Sequence, residues 1–246
     1  MRIGILQTGK VNESLVEVHG EYPPMFRDWL ATAGDALDLP VFSVVDGEFP
    51  STPDLCDGWL ISGSRFGVYD DEPWIAPLKD FLCQTRSAGR PILGICFGHQ
   101  ILVEAFGGRA EKFQGGWGVG VNDYQVTARP VWMADAPETI SLHAHHQDQV
   151  TAIPEDATCL ATSGHCAFAM LAYGNPEAPD AVSIQAHPEF RADYARDLVK
   201  TFTGTRIPED AGARALETFG RPVHGPETAA WSIAFLRNAI IRRAAA

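Results

Sequence analysis

The sequence predicts an α/β fold in which a mostly parallel sheet is covered by helices on both faces. Apolar strand-like runs alternate with helical segments over the first hundred residues, and this alternation is typical of a parallel sheet. A glycine-broken stretch at residues 109–127 favours a small antiparallel β appendage, and an apolar-faced segment near residue 240 favours a C-terminal helix. The 246 residues fit one α/β domain, which buries about 70% of the chain's surface.

The first half of the chain supplies parallel strands and the helices between them. Strands are predicted at short apolar runs, and helices where proline, glycine and apolar spacing mark their ends. In chain order these are a strand at 1–6, a helix at 25–33 after Pro23 and Pro24, strands at 41–45 and 59–61, a helix at 74–87, a strand ending before Cys96, and a helix at 97–106 closed by Gly107 and Gly108.

The second half is predicted to begin with antiparallel strands that continue to Tyr173. Residues 181–186 then form a further buried strand, because this run is short and almost entirely apolar. A helix follows from near Pro188, and its aromatic and aliphatic stripe should pack on the sheet. The stripe consists of Phe190, Tyr194 and Leu198.

Residues 1–203 are predicted to form the main domain, with residues 204–246 as an extension. The extension ends in a helix that begins at Gly225-Pro226-Glu227 and has Arg242 and Arg243 in its last turns, where cations favour the helix dipole. Its apolar face is expected to dock on the same domain, although contact with another subunit or a partner is the alternative.

Charge and cysteine content limit the function classes. The chain carries 31 acidic and 19 basic residues, for a formal net charge of −12. Nucleic acid and anionic membranes are disfavoured as partners, because phosphate binding relies on clustered lysine and arginine. Five cysteines without Cys-x-x-Cys spacing predict neither a disulfide framework nor a thiolate zinc site. With no signal-peptide or membrane-length apolar run, the sequence predicts a cytoplasmic protein.

The segment Gly94-Ile95-Cys96-Phe97-Gly98 has the form of a nucleophile elbow between a strand and a helix. Such a sharp turn needs small flanking residues, while its central residue adopts a strained conformation. The N–H groups of the following helix point at the sulfur and favour the thiolate. The alternative is that Cys96 is a buried small hydrophobe, as many isolated cysteines are.

Two further segments fit a nucleophilic cysteine. His187-Pro188-Glu189 follows the strand at 181–186, where His187 can act as a general base oriented by Glu189. The alternative is a helix start with a capping carboxylate. Gly63 follows the strand at 59–61, and its N–H and that of Phe97 can converge on one oxyanion, since parallel strands end at the same edge.

Together these motifs resemble the class I glutamine amidotransferase family, whose members release ammonia from glutamine. The resemblance covers about residues 1–203 and implies a flavodoxin-like fold. It rests on residues 94–100, on His187-Pro188-Glu189 and on Ile61-Ser62-Gly63-Ser64, where many members have Gly-Gly-Pro. It implies the following roles: Cys96 as nucleophile, His187 as base, Glu189 as third triad member, Gly63 and Phe97 as oxyanion donors, and Gln100 as a contact to bound glutamine.

Residues 115–121 and 146–150 are most similar to a freestanding branch that includes γ-glutamyl peptidases, with the glutaminase domain of GMP synthase as a further relative. The resemblance puts His146 and Asp148 at the amino-acid end of the substrate. Trp117 and Gly118 are expected in a substrate wall, with a bulged hairpin as the alternative. A metal site at His143, His145, His146 and Asp148 is the competing interpretation, because imidazole and carboxylate are common metal ligands. The resemblance favours substrate binding without metal or cofactor.

The expected activity is hydrolysis of the γ-amide of glutamine or of a γ-glutamyl compound through a cysteine thioester. If ammonia leaves, a separate ammonia-accepting synthetase is the expected partner, since the chain has no Walker motif. If an amino acid or peptide leaves, the protein is a stand-alone γ-glutamyl peptidase acting on glutathione-type conjugates. The third alternative is a catalytically idle regulatory or binding protein of the same fold.

Overall fold

A computed structural model describes residues 1–245, and within them the strands form one nine-stranded and one two-stranded sheet. The strands are β1 (Ile3–Leu6), β2 (Val41–Phe42), β3 (Gly58–Ile61), β4 (Ile92–Ile95), β5 (Arg109–Lys112), β6 (Gly118–Val126), β7 (Thr139–His146), β8 (Asp148–Ala152), β9 (Ala157–Thr162), β10 (Met170–Tyr173) and β11 (Ala181–Ile184). The helices are α1 (Glu13–His19), α2 (Tyr22–Ala31), α3 (Ile75–Ser87), α4 (Phe97–Ala105), α5 (Ala192–Phe202), α6 (Glu209–Leu216) and α7 (Gly225–Ala244).

The large sheet has the strand order β2-β1-β3-β4-β11-β10-β9-β6-β7. Its first five strands pair in parallel, and the remaining strands pair antiparallel. Strands β5 and β8 form the separate two-stranded antiparallel sheet. The predicted fold class is confirmed, with one refinement: most antiparallel strands extend the main sheet, because β10 pairs directly with β11.

Helices cover both faces of the parallel strands. Alternate residues of one strand enter different apolar cores, as the period of two requires: Ile5 packs with the residues of α2 and α7, whereas Leu6 packs with those of α3 and α4. Strands buried on both faces need apolar side chains throughout, and this explains the short continuous apolar runs of the sequence.

The C-terminal helix α7 packs against α2 as part of the first of these cores. Trp231, Phe235 and Leu236 are buried there, and the Trp29 indole donates a hydrogen bond of 2.8 Å to the carbonyl of Gly225 at the start of α7. None of the helices in residues 1–245 is long and apolar enough to cross a membrane. The division into residues 1–203 and 204–246 stays a prediction.

The helix predicted near Pro188 begins later, at Ala192. The N–H of His187 donates a hydrogen bond of 2.7 Å to the carbonyl of His143, so the chain still follows the sheet at this point. Phe190 therefore precedes the helix instead of forming the first residue of its stripe. Helices α1 and α6 were not predicted from the sequence.

Candidate active site

The turn between β4 and α4 has the geometry of a nucleophile elbow. Cys96 has φ 54° and ψ −102°, and among residues 1–245 it is the one non-glycine residue with a positive φ. A Cβ atom on Gly98 would lie 2.6 Å from the carbonyl oxygen of Ile61, and one on Gly94 would collide with the backbone of Gly98. The flanking glycines are thus required because backbone packs directly against them.

Three neighbouring strands end beside this cysteine. Because β4 lies between β3 and β11, the loops after them carry Gly63 and His187 to the same edge of the sheet. A Cβ atom on Gly63 would lie 3.0 Å from Cε1 of His187 and 3.7 Å from Cβ of Cys96, so the three residues are in contact. Phe97 is the first residue of α4, and its N–H has no acceptor inside the helix.

His187 and Glu189 form a buried ion pair. Nδ1 of His187 donates to Oε1 of Glu189 at 2.7 Å, and both side chains are almost fully buried. Burial alone lowers the pKa of His187, but the nearby charges of Glu189 and Cys96 outweigh it and raise the pKa well above its ordinary value. The imidazolium form is therefore stabilised next to the sulfur.

Phe190 holds the ring of this histidine in place. The two rings stack with centroids 3.9 Å apart and an angle of 7° between their planes. The predicted stripe of Phe190, Tyr194 and Leu198 packs in one apolar core, but Phe190 precedes the helix to which it was assigned. The carbonyl of Phe190 also accepts a hydrogen bond of 3.0 Å from Nδ1 of His143, which fixes the turn that carries the aromatic ring.

A cavity of about 1340 Å³ opens at Cys96 and His187. Of the predicted substrate-binding residues, the ones that line it are Gln100, Trp117, His146 and Asp148. Gly118 lies behind this wall, since a Cβ atom on it would be 2.9 Å from Nε2 of His146. The structure therefore brings the predicted site residues together, while their roles in catalysis and binding stay predictions.

Asp148 is the centre of a polar group at one end of the cavity. Its Oδ2 accepts a hydrogen bond of 2.9 Å from the Tyr69 hydroxyl, and its carbonyl accepts one of 2.8 Å from Nε2 of Gln100. Burial raises the pKa of Asp148, and the positive charge of Lys112, its cross-strand partner, opposes that shift. Sequence reasoning missed Lys112, because the pairing of β5 with β8 leaves no local signal, and it missed Tyr69, which reaches Asp148 from the loop between β3 and α3.

The cavity histidines other than His187 are neutral. Burial, together with the positive charge of His187, lowers the pKa of His145 and that of His146 to about 3. Neutral imidazoles can donate or accept hydrogen bonds without repelling a cationic substrate group. Across residues 1–245, no three side chains of histidine, cysteine, aspartate or glutamate are grouped so that they could hold a metal ion.

Comparison with known proteins places these features in a family context. The model of the family described as glutamine amidotransferase class-I matches residues 44–202. γ-Glutamyl peptidase 5 of Arabidopsis thaliana is 31% identical over 200 residues, covering 78% of this chain and 77% of the relative. The glutamine-hydrolyzing GMP synthase of Bacillus pumilus is 30% identical over 146 residues, covering 59% of this chain and 27% of that protein. A crystal structure of a glutamine amidotransferase from Thermotoga maritima has a TM-score of 0.70 at 19% identity, covering 99% of this chain and 97% of that one.

Proposed function

The chain belongs to the class I glutamine amidotransferase family, and from this premise we propose that it hydrolyses γ-glutamyl amide bonds through a thioester on Cys96. The observation that carries the proposal is a strained cysteine whose side chain is hydrogen-bonded to His187, a histidine that Glu189 holds at 2.7 Å. Retention of this geometry argues against the catalytically idle alternative, because a positive φ at a non-glycine residue is strained and is maintained mainly at functional sites.

In the first half of the reaction, the Cys96 thiolate attacks the γ-carbonyl carbon. A C–S bond forms, and the carbonyl electron pair moves to oxygen, where the N–H groups of Gly63 and Phe97 stabilise the negative charge. The imidazolium of His187 then gives its proton to the leaving nitrogen. The C–N bond breaks, the amine departs, and a γ-glutamyl thioester remains on the enzyme.

In the second half, water attacks the thioester carbon while neutral His187 accepts a proton from it. The C–S bond breaks, glutamate is released, and the thiolate and imidazolium are restored together. Glu189 does not exchange a proton in this scheme. Its carboxylate orients the ring through Nδ1 and stabilises the imidazolium that both half-reactions require.

The polar group around Asp148 is suited to the amino-acid end of the substrate. A γ-glutamyl group carries an α-ammonium and an α-carboxylate, and the site offers the Asp148 carboxylate beside the Lys112 ammonium. Gln100 connects the elbow helix to this pair, since it belongs to α4 and donates a hydrogen bond to the carbonyl of Asp148. These contacts support recognition of a zwitterionic amino-acid head.

The size of the cavity favours a leaving group larger than ammonia. Ligand sites commonly measure about 300–1000 Å³, and the cavity of about 1340 Å³ continues well beyond the Asp148 group. A stand-alone γ-glutamyl peptidase is therefore the substrate assignment that we favour. Glutaminase activity that serves a separate synthetase is the second candidate, supported by the likeness to a glutamine-hydrolyzing GMP synthase.

Glutamate release from matched substrates separates the two candidates. Purified protein is assayed with glutamine, with γ-glutamyl dipeptides and with glutathione. We expect kcat/KM for at least one γ-glutamyl peptide to exceed that for glutamine by tenfold or more. Hydrolysis of glutamine alone would contradict the peptidase assignment, and release of glutamate from no substrate would contradict the proposed function as a whole.

A further inference from the structure

Arg206 is a cation at the active-site cavity without a carboxylate partner among residues 1–245. Its guanidinium lies over the ring of Phe202 with its central carbon 4.9 Å from the ring centroid, and both residues line the cavity. In a chain with 31 acidic and 19 basic residues, most arginines have an acidic neighbour. An unpaired arginine fixed over an aromatic ring is positioned for an external anion.

Phe202 belongs to an aromatic wall that leads from Arg206 into the cavity. The ring of His145 lies 6.0 Å from that of Phe202, and the Trp117 ring lies 5.5 Å from His145 on an edge-to-face geometry. The low pKa of His145 leaves its imidazole uncharged. The wall therefore offers three flat, uncharged rings next to one cation.

This wall lies beside the residue that protonates the leaving nitrogen in the proposed reaction. The N–H of His187 donates a hydrogen bond of 2.7 Å to the carbonyl of His143 in β7, and His145 is two residues further along the same strand. The amino-acid end of the substrate has its own polar group around Asp148, built from β5, β8 and the loop of Tyr69. The elements that carry the wall are different: the residue before β6, strand β7, the last residue of α5 and the turn that follows it.

We propose that Trp117, His145, Phe202 and Arg206 form a leaving-group subsite for an aromatic amino acid with a free carboxylate. The substrate class is then a γ-glutamyl dipeptide such as γ-glutamyl-phenylalanine, whose ring packs on the wall and whose carboxylate pairs with Arg206. This inference rests on the proposed function and specifies its substrate. Aromatic contact supplies dispersion and burial, while the arginine supplies a charge-assisted hydrogen bond.

Arg65 is the competing cation at the cavity. It lies over the ring of Phe66, with 4.9 Å to the centroid, and Phe66 contacts Trp74. Arg65 belongs to the same loop as Tyr69, whose hydroxyl donates to Asp148. This connection assigns Arg65 to the glutamyl end, so its substitution should affect every γ-glutamyl substrate alike.

The test compares a substrate pair that differs only in the carboxylate: γ-glutamyl-phenylalanine and its C-terminal amide. We expect R206Q to lower kcat/KM for the acid by about ten- to thirtyfold, mainly through KM, and to change the value for the amide less than twofold. R206K should restore part of the loss. R214Q is the matched control, because Arg214 pairs with Asp210 on the exposed face of α6 outside the cavity.

The aromatic part of the subsite is tested by the preference for γ-glutamyl-phenylalanine over γ-glutamyl-alanine. The wild type should favour the former by tenfold or more, and F202L should reduce that ratio. The subsite would be overturned if R206Q lowered kcat/KM equally for the acid and the amide, or if R65Q instead of R206Q lowered it selectively for the acid. It would also be overturned if the wild type showed no preference for the aromatic substrate.

Binding separates this inference from the proposed function. Calorimetry with C96A measures the affinity for γ-glutamyl-phenylalanine and for its amide without turnover. The same measurement with the double variant C96A/R206Q gives the contribution of the arginine to binding. If R206Q weakens binding of the acid but not of the amide, and the wild-type protein cleaves no substrate, the subsite is retained and the reaction is rejected. If the wild type cleaves γ-glutamyl substrates but R206Q does not selectively weaken binding of the acid, the reaction is retained and the subsite is rejected.

Discussion

Cys96 combines a strained backbone with a charged neighbour. A non-glycine residue at φ 54° costs about 1–3 kcal/mol, and close packing around the elbow holds it there. The same conformation places the sulfur at the start of α4, where helix N–H groups favour negative charge. The raised pKa of His187 complements this arrangement, because it keeps a proton on the imidazole beside the sulfur.

The E189Q variant tests how the carboxylate controls His187. The substitution removes the charge that raises the pKa of His187 and leaves the burial that lowers it, so the pKa falls. The proton needed by the leaving amine is then lost at lower pH, and the alkaline limb of the pH profile of kcat should move to lower pH. We expect kcat to fall by at least about 100-fold.

Steady-state rates between pH 5 and about 10 supply the measurement for E189Q. E155Q is its control, since Glu155 is exposed in the turn before β9. An unchanged alkaline limb in E189Q, with kcat near that of the wild type, would show that the carboxylate does not act on the histidine.

At the level of single residues, the sequence was sufficient to predict the site residues that belong to a local motif. Residues 94–100 and His187-Pro188-Glu189 each contain their own signal, and the structure brings them together. Tyr69, Lys112 and Arg206 had no such signal. Lys112 reaches the cavity through the pairing of β5 with β8, Tyr69 through the loop after β3, and Arg206 through the turn after α5, and these placements depend on contacts distant in sequence.

Helix α4 of the elbow packs directly on strand β3, because Gly98 has no side chain to separate its backbone from Ile61. The G98A variant should disrupt this packing. The Cβ of the new alanine would lie 2.6 Å from the carbonyl oxygen and 2.9 Å from Cβ of Ile61. The strand backbone cannot move away from it at a small cost in free energy. We expect the free energy of unfolding to fall by about 1–3 kcal/mol, measured by chemical denaturation, with loss of turnover.

G164A provides the matched glycine substitution. A Cβ at Gly164 meets no atom within 4 Å, and this glycine does not have a positive φ. Its stability should therefore remain within about 0.5 kcal/mol of the wild type. Equal destabilisation by both variants would mean that the loss of glycine itself, rather than the contact with Ile61, is responsible.

Elements were predictable where the pattern of apolar residues decided the structure. The parallel strands are short apolar runs because they are buried on both faces, and the structure has them where the sequence indicated. The predicted start of α5 was wrong because Pro188 resembles a first helical residue. The hydrogen bond from the N–H of His187 to the carbonyl of His143 holds the chain against the sheet at this point. That bond joins residues 44 positions apart in sequence, beyond any local pattern.

At the scale of the whole molecule, α7 completes the core on one face of the sheet. Phe235 is 1% exposed and packs against Trp132, whereas Ile241 on the same helix is 60% exposed. F235A should therefore lower the free energy of unfolding by about 3–5 kcal/mol. I241A should change it by less than about 0.5 kcal/mol.

Thermal and denaturant unfolding of F235A and I241A provide the readout. A single unfolding transition in F235A, shifted as a whole, would indicate that residues 204–246 fold with the rest of the chain. A second transition that moves alone would mean that the extension is a separate folding unit. The sequence predicted the apolar face of this helix, but its docking partner α2 lies about 200 residues away and was not specified by any pattern.

The central claim is that Cys96 is the nucleophile, and glutamate release by C96A against C83A tests it most directly. Cys83 is exposed on α3 and outside the cavity, so C83A controls for loss of a thiol. With γ-glutamyl substrates that the wild type cleaves, the account predicts that C96A loses at least about 1000-fold in kcat/KM, keeps a native unfolding transition, and that C83A matches the wild type. Turnover by folded C96A near the wild-type rate would contradict it.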